Sequence, residues 1–298
     1  MCLFSWQFDR SGENTRFNHS QSLRKDKQAV APAVSTVILT AAVIVMIMVA
    51  MTFANTFLDS RMAENEFSTN KQFMLTTGLQ VDDIAWSIGR TQTVRYSSRY
   101  GNMRFQSPAV NYTFEVEFDG APNVWVPLFS NTTGMILFNV PTSAYSVYNN
   151  YFERVTPTSS GAFLQDGPSA PVTQVFCVEK LPMNEGNYTR IVVAPTIRML
   201  NSTIGSQGGA TSYTKFYFPV LVQGNHQYLS QSITMTGNEV TKILRSGVTR
   251  VRISVSYPND DIGFDSDFFN FDSETVEVPT GSVVEFYIGK VIVTLGQV

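Results

Sequence analysis

Six carboxylates crowd residues 259–274: Asp260, Asp261, Asp265, Asp267, Asp272 and Glu274. Oxygens gathered in this way can hold Ca²⁺, which takes about six to eight oxygen ligands, and Asp260, Asp261, Asp265 and Asp267 are the candidate metal ligands. Their spacing does not fit an EF-hand loop, and Phe264, Phe268, Phe269 and Phe271 interrupt it. The plainer reading is a solvated acidic loop whose rings fold against a sheet. Asn-x-Ser/Thr tripeptides at Asn111, Asn131, Asn187 and Asn201 are candidate glycosylation acceptors, a modification of exported surfaces. Some will arise by chance in a chain this rich in Ser, Thr and Asn. A fifth, at Asn18, lies on the side expected to be cytoplasmic and does not count.

Other chemistry is sparse. Cys2 and Cys177 flank a long apolar segment, and so do His19 and His226. One histidine per side builds neither a zinc site nor a His-dependent triad, and the two thiols are not placed to form a disulfide. Asp82 and Asp83 read as a solvated helix face rather than as paired catalytic carboxylates. No nucleophile elbow or phosphate-cradling glycine loop stands out, so the chain is expected to be no enzyme and to need no cofactor. A surface-anchored hydrolase would have no catalytic constellation to use. Charged residues make up 15% of the chain, against a usual figure of about 25%. With no basic patch, nucleic acid is not an expected partner.

These residues are distributed around residues 30–58. No Asp, Glu, Lys, Arg or His occurs between Lys27 and Asp59, and residues 34–53 are apolar except for Ser35, Thr36, Thr40 and Thr52. A helix of that length rises about 30 Å, the hydrocarbon thickness of a bilayer. Its many Val and Ile residues would weaken a helix in water. In lipid the backbone must satisfy its own hydrogen bonds, and the helix forms regardless. A buried core helix is the alternative, and the length of the uninterrupted run argues against it. Residues 1–29 carry five Lys/Arg against three Asp/Glu, while residues 30–298 carry sixteen against twenty-one. The positive-inside rule therefore puts the N-terminus in the cytoplasm and everything after Leu58 outside.

Residues 1–29 are expected to be a polar, disorder-prone leader. Residues 59–89 hold good helix formers, with Phe67, Met74, Val81, Ala85 and Ile88 near one face. They predict a helical stalk that continues from the span and stops at Gly89 as its C′ glycine; the alternative is a second helix after a break near residues 55–60. Started in its first turn at Pro32, one continuous helix would approach 85 Å at about 1.5 Å per residue. From residue 90 the period changes. Strands are expected at 111–118, 135–140, 171–179, 188–194, 215–222, 229–236, 249–257 and 283–295, with turns at 119–122, 165–168 and 205–209. Such spacing predicts an antiparallel sandwich or barrel, with 283–295, apolar on both faces, as a central strand. No internal repeat stands out.

The junction reads Lys25-Asp26-Lys27-Gln28-Ala29-Val30-Ala31-Pro32-Ala33-Val34 and leads straight into the apolar run. In its charged leader, small residue at the cut, Val-x-Pro-x-Val start and apolar helix it resembles archaeal type IV pilin-like proteins, the group of adhesion pilins and archaellins. The resemblance covers residues 24–60 and the overall layout of helix then β domain. It implies a cleavage site formed by Lys27, Gln28, Ala29 and Val30, cut after Ala29 by a membrane prepilin peptidase. It also implies assembly in which the apolar helices form a filament core and the β domains lie outside. Two features depart from the pattern: the leader is long, and Val34 stands where bacterial pilins carry Glu. Ala50 and Ala54, four apart, would permit close helix approach.

The expected fold is therefore α+β, a long N-terminal membrane-spanning helix followed by an antiparallel β-sandwich-like ectodomain. Its parts are a cytoplasmic leader (1–29), a transmembrane or filament-core helix (30–58), a helical stalk (59–89) and a β-rich extracytoplasmic domain (90–298). The expected function is a structural pilin-like subunit of an archaeal cell-surface filament or envelope assembly, with adhesion as a role for the exposed domain. Its partners would be membrane lipid, copies of itself or other pilin-like subunits through residues 30–58, and the implied peptidase. The alternative is a single-pass membrane anchor whose ectodomain binds envelope glycans or proteins without forming filaments.

Overall fold

The computed structural model describes residues 22–96, 98–158, 161–206, 209–226, 231–279 and 281–296, with side chains at all of these except 22–33, 206, 209 and 210. The chain divides into two units, Met1–Leu58 and Asp59–Val298. Helix α1, Ser22–Ala85, supplies the described part of the first unit and opens the second. It starts earlier than expected. Residues 22–29, read as disordered leader, have helical backbone, and Pro32 is an interior residue. Leu23, Arg24, Lys25, Lys27, Gln28 and Ala29 rank high in helix propensity, and that outweighs the polarity that suggested disorder. Residues 55–60 are helical too, so the break considered there does not occur. Cys2, Asn18 and His19 lie outside the described residues, as do the side chains of Lys27, Gln28, Ala29 and Val30.

In the second unit the rest of α1 is followed by β1 (Thr91–Arg95), β2 (Asn102–Phe118), β3 (Trp125–Pro141), β4 (Tyr151–Thr156), β5 (Leu164–Asp166), β6 (Thr173–Glu179), β7 (Tyr188–Pro195), β8 (Ile197–Ser206), β9 (Gly209–His226), β10 (Ser232–Ser246) and β11 (Val248–Ser256). A 3₁₀ turn (Asp260–Ile262), a short helix α2 (Ser266–Phe269), β12 (Glu274–Glu277) and β13 (Val283–Leu295) complete it. The strands form a six-stranded sheet in the order β1-β10-β13-β9-β8-β5 and a seven-stranded sheet in the order β12-β11-β2-β3-β7-β6-β4.

Pairing is mostly antiparallel, but β13 runs parallel to β9 and β5 parallel to β8, so the purely antiparallel expectation is corrected. After β9 the chain builds β10 in the same sheet and β11 and β12 in the other. It then returns as β13 between β10 and β9. Residue periodicity carries no strand direction, so only the crossover reveals this. As expected, β13 is central, with buried residues on both faces. The strands that periodicity misses, β1, β4, β5, β8 and β12, are short or polar and partly exposed; part of β5 falls in the expected turn at 165–168.

Two apolar clusters fill the unit. One joins the sheets through Tyr112, Phe114, Phe176, Phe218 and Phe286, and the loop rings Phe264, Phe268, Phe269 and Phe271 fold into it. The other joins α1 to residues of both sheets. Along α1, Ala63, Phe67, Asn70, Met74, Thr77, Val81 and Ile84 are buried at alternating spacings of four and three, one continuous helical stripe. The expected stalk is therefore part of the core, because burying each large residue of that stripe yields about 1.5–3 kcal/mol that a free stalk would forgo. Ile88 is the exception and is exposed. Gly89 has the expected positive φ, +81°, but it ends the turn beyond α1, where its amide donates to Gly237 O at 2.8 Å.

Candidate functional site

Every residue from 34 to 58 is exposed, Val37 by 67% and Phe53 by 74%. Three hydroxyls in this stretch are satisfied within the helix. Thr40 Oγ1 donates to Val37 O, Thr52 Oγ1 to Met48 O and Thr56 Oγ1 to Thr52 O, at 2.9–3.0 Å. Such back-bonding removes the cost of carrying a hydroxyl into an apolar medium. This helix is long and apolar enough to cross a membrane. An apolar surface of this extent left bare in water would drive association or insertion.

Within the second unit, polar contacts fasten α1 to its surroundings. The half-buried Glu66 carboxylate accepts from Ser98 Oγ and Arg99 N at 2.8 Å, from Gly101 N at 3.0 Å and from Tyr100 N at 3.1 Å. Tyr100 also donates to Asp59 Oδ1 at 2.7 Å, and that bond to a carboxylate raises its phenol above the usual value. Lys71 bridges to Glu153 of β4 at 2.6 Å. Burial pushes Glu153 up, but the hydrogen bonds from Lys71 and Tyr151 prevail and its net shift is downward.

One row of side chains crosses four strands on the face of the six-stranded sheet away from the Phe286 core. Lys242 lies over the Tyr287 ring at 5.2 Å, Tyr287 stacks on Tyr217 at 4.9 Å, and Arg198 lies over Tyr217 at 4.9 Å. Beside it Glu285 is held by Lys242 at 2.8 Å and Lys215 at 4.0 Å. Both tyrosine faces are thus occupied by neighbours, leaving none on which a sugar ring could stack, so the row reads as sheet reinforcement. On the other sheet Trp125 receives Arg252 at 4.4 Å and Arg250 at 5.3 Å.

The residues singled out by type are scattered. Asn187 and Asn201 are exposed and Asn111 and Asn131 half-buried. Asn111 Nδ2 donates to Ser256 Oγ at 3.2 Å, and Asn131 lines a cleft of about 280 Å³ with Val220, Glu239, Thr241, Ile288 and Lys290. Asp260 and Asp261 sit in the 3₁₀ turn, while Asp265 caps α2 by accepting from Phe268 N at 3.0 Å. Burial holds the Lys180 amine below its usual value despite the nearby Asp265 and Asp267. Among the described residues no group of three or more His, Cys, Asp or Glu side chains is arranged to hold a metal, so the Ca²⁺ expectation for Asp260, Asp261, Asp265 and Asp267 finds no cluster. Asp82 accepts from Trp86 Nε1 at 2.8 Å and pairs with Arg198, and Asp83 pairs with Arg90. Burial pushes the Cys177 thiol up to about 12.

No family model, curated protein or solved structure matches the chain.

Sequence reasoning overlooked the Glu66 latch and the tyrosine row. The latch joins residues far apart in the chain and had no local signal. The row had one: Lys215-Phe216-Tyr217 and Glu285-Phe286-Tyr287 share a pattern and lie in register on parallel strands. Phe216 and Phe286 stack at 5.2 Å on one face while the tyrosines stack on the other.

Proposed function

We propose that this chain is a structural, pilin-like subunit of an archaeal cell-surface filament or envelope assembly. The observation that carries the reading is the bare apolar helix of residues 34–58, which no part of the described chain covers. Lipid covers it before assembly, with the basic flank of Arg24, Lys25 and Lys27 on the cytoplasmic side. Helices of other subunits cover it in the filament, where Val, Ile, Met and Ala side chains exchange lipid contacts for one another. Further support comes from the junction at Ala29–Val30 and from the buried stripe between Ala63 and Ile84, which builds the same helix into the exposed domain's core.

N-terminal sequencing of the protein from its native cells tests this reading, together with electron microscopy of the purified material. A mature chain starting at Val30 and forming filaments is the expected result. An intact Met1 or a cut beyond Leu58 overturns it. A Val30 start without filaments would leave a single-pass anchor displaying a binding domain.

A further inference from the structure

We infer that the open edge of β10 in one copy of the chain pairs, antiparallel, with the open edge of β12 in the next copy, a head-to-tail contact between exposed domains that rests on the filament reading above. β1 covers β10 only over residues 232–236. From residue 239 to 246 the strand pairs with β13 on one side, and among the described residues no strand pairs with its other side, where the Leu244 carbonyl accepts from Arg245 Nη1 at 2.8 Å. Leu244 is 49% exposed. β12 is the last strand of the other sheet and pairs only with β11.

Charge, face and hydrogen-bond phase select the same register. Set antiparallel with Lys242 opposite Glu277, the two edges also bring Arg245 opposite Glu274. Neither glutamate nor Arg245 has an ion-pair partner among the described residues. In the same alignment Ile243 meets Val276, and both of these pack on the core side of their sheets. Lys242 lies on the opposite, tyrosine-bearing face, matching the exposed Glu277. Within an antiparallel strand, alternate residues direct both backbone groups to the same side. Val278 N donates to Thr249 of β11, so residues 275 and 277 present their groups outward. Gly237 bonds to Gly89 and Arg90 on the side away from β13, and the bulge before Glu239 shifts the phase so that residues 240, 242 and 244 face outward. The pairs 242–277 and 244–275 are therefore both of the hydrogen-bonded kind.

Charges on a sheet edge ordinarily guard against pairing. Here the two edges carry opposite charge at matched spacing, so like edges repel and unlike edges attract. The contact joins different patches on the two copies, the heterologous kind that propagates into a filament when its rotation does not close a ring.

The test uses the full-length chain in phosphatidylcholine vesicles with Cys2→Ser as background. Leu244→Cys and Thr275→Cys variants are oxidised singly and as a mixture. The expected result is a disulfide-linked dimer in the mixture at about tenfold the yield of either variant alone, since opposed strand residues fall within disulfide reach. No dimer in the mixture, or equal yields in the single variants, overturns the contact. Arg245→Glu and Glu274→Lys each place like charges across the edge. Each alone should associate about tenfold more weakly, and mixing the two should restore association. Loss without restoration on mixing also overturns it. Filaments that persist without the 244–275 link would refute this contact and leave the subunit reading intact. A link without filaments would refute the subunit reading and keep the contact.

Discussion

Replacing Glu66 by Ala removes the acceptor on which Ser98, Arg99, Tyr100 and Gly101 converge. A hydrogen bond to a charged group nets about 1.5–3 kcal/mol when buried, and a donor stranded by truncation loses its partner outright. Glu66 is half-buried, so water re-satisfies part of what is lost, and about 1 kcal/mol for each of three backbone amides is the appropriate scale. The expected cost is about 3 kcal/mol, with Glu66→Gln losing about half because one oxygen still accepts. Denaturant unfolding of the full-length protein in detergent measures this. Hydrogen exchange of the Arg99, Tyr100 and Gly101 amides reports the local effect, and all three should exchange faster. Tyr100→Phe is the control: it removes only the exposed bond to Asp59 and should leave the unfolding midpoint unchanged. If Glu66→Ala also stays within about 0.5 kcal/mol and leaves those amides unchanged, the latch does not hold the loop to the helix.

Three other outcomes are expected. A Cβ at Gly289 would meet the Ala85 carbonyl and the Trp86 ring, so Gly289→Ala should destabilise by about 1–3 kcal/mol in denaturant unfolding, whereas at Gly205, where a Cβ meets open space, the same change should not. Phe286 contacts Phe114, Phe129 and Phe216, and Phe286→Ala should cost about 3–5 kcal/mol by the same measurement. Acid should weaken the fold. Burial raises Glu285, but the hydrogen bonds from Lys242 and Tyr287 and the charges of Lys242 and Lys215 bring it to a net position below the ordinary 4.5. A carboxylate lowered in the folded state contributes stability above its unfolded value and loses it as pH falls through the folded one. The loss in a pH series of unfolding midpoints should therefore fall below about pH 4.5 and shrink in Glu285→Gln.

The apolar span was legible in the sequence because composition alone determines it: a run this long without a charge has few uses outside lipid. The buried stripe of α1 was also legible, since Phe67, Met74, Val81 and Ala85 recur near the helical period whatever they pack against. So was the central position of β13, whose apolar residues leave no polar face for solvent. Tertiary structure alone decided the rest. Strand direction between β9 and β13, the Glu66 latch and the meeting of Lys242, Tyr287, Tyr217 and Arg198 all depend on pairing between distant segments. Periodicity reports which face of an element is buried, not what lies opposite. The helix's landing on Gly237 and Gly289 shows the difference: the glycines were visible in the sequence, but the carbonyls of Ile84, Ala85 and Ser87 that require them were not.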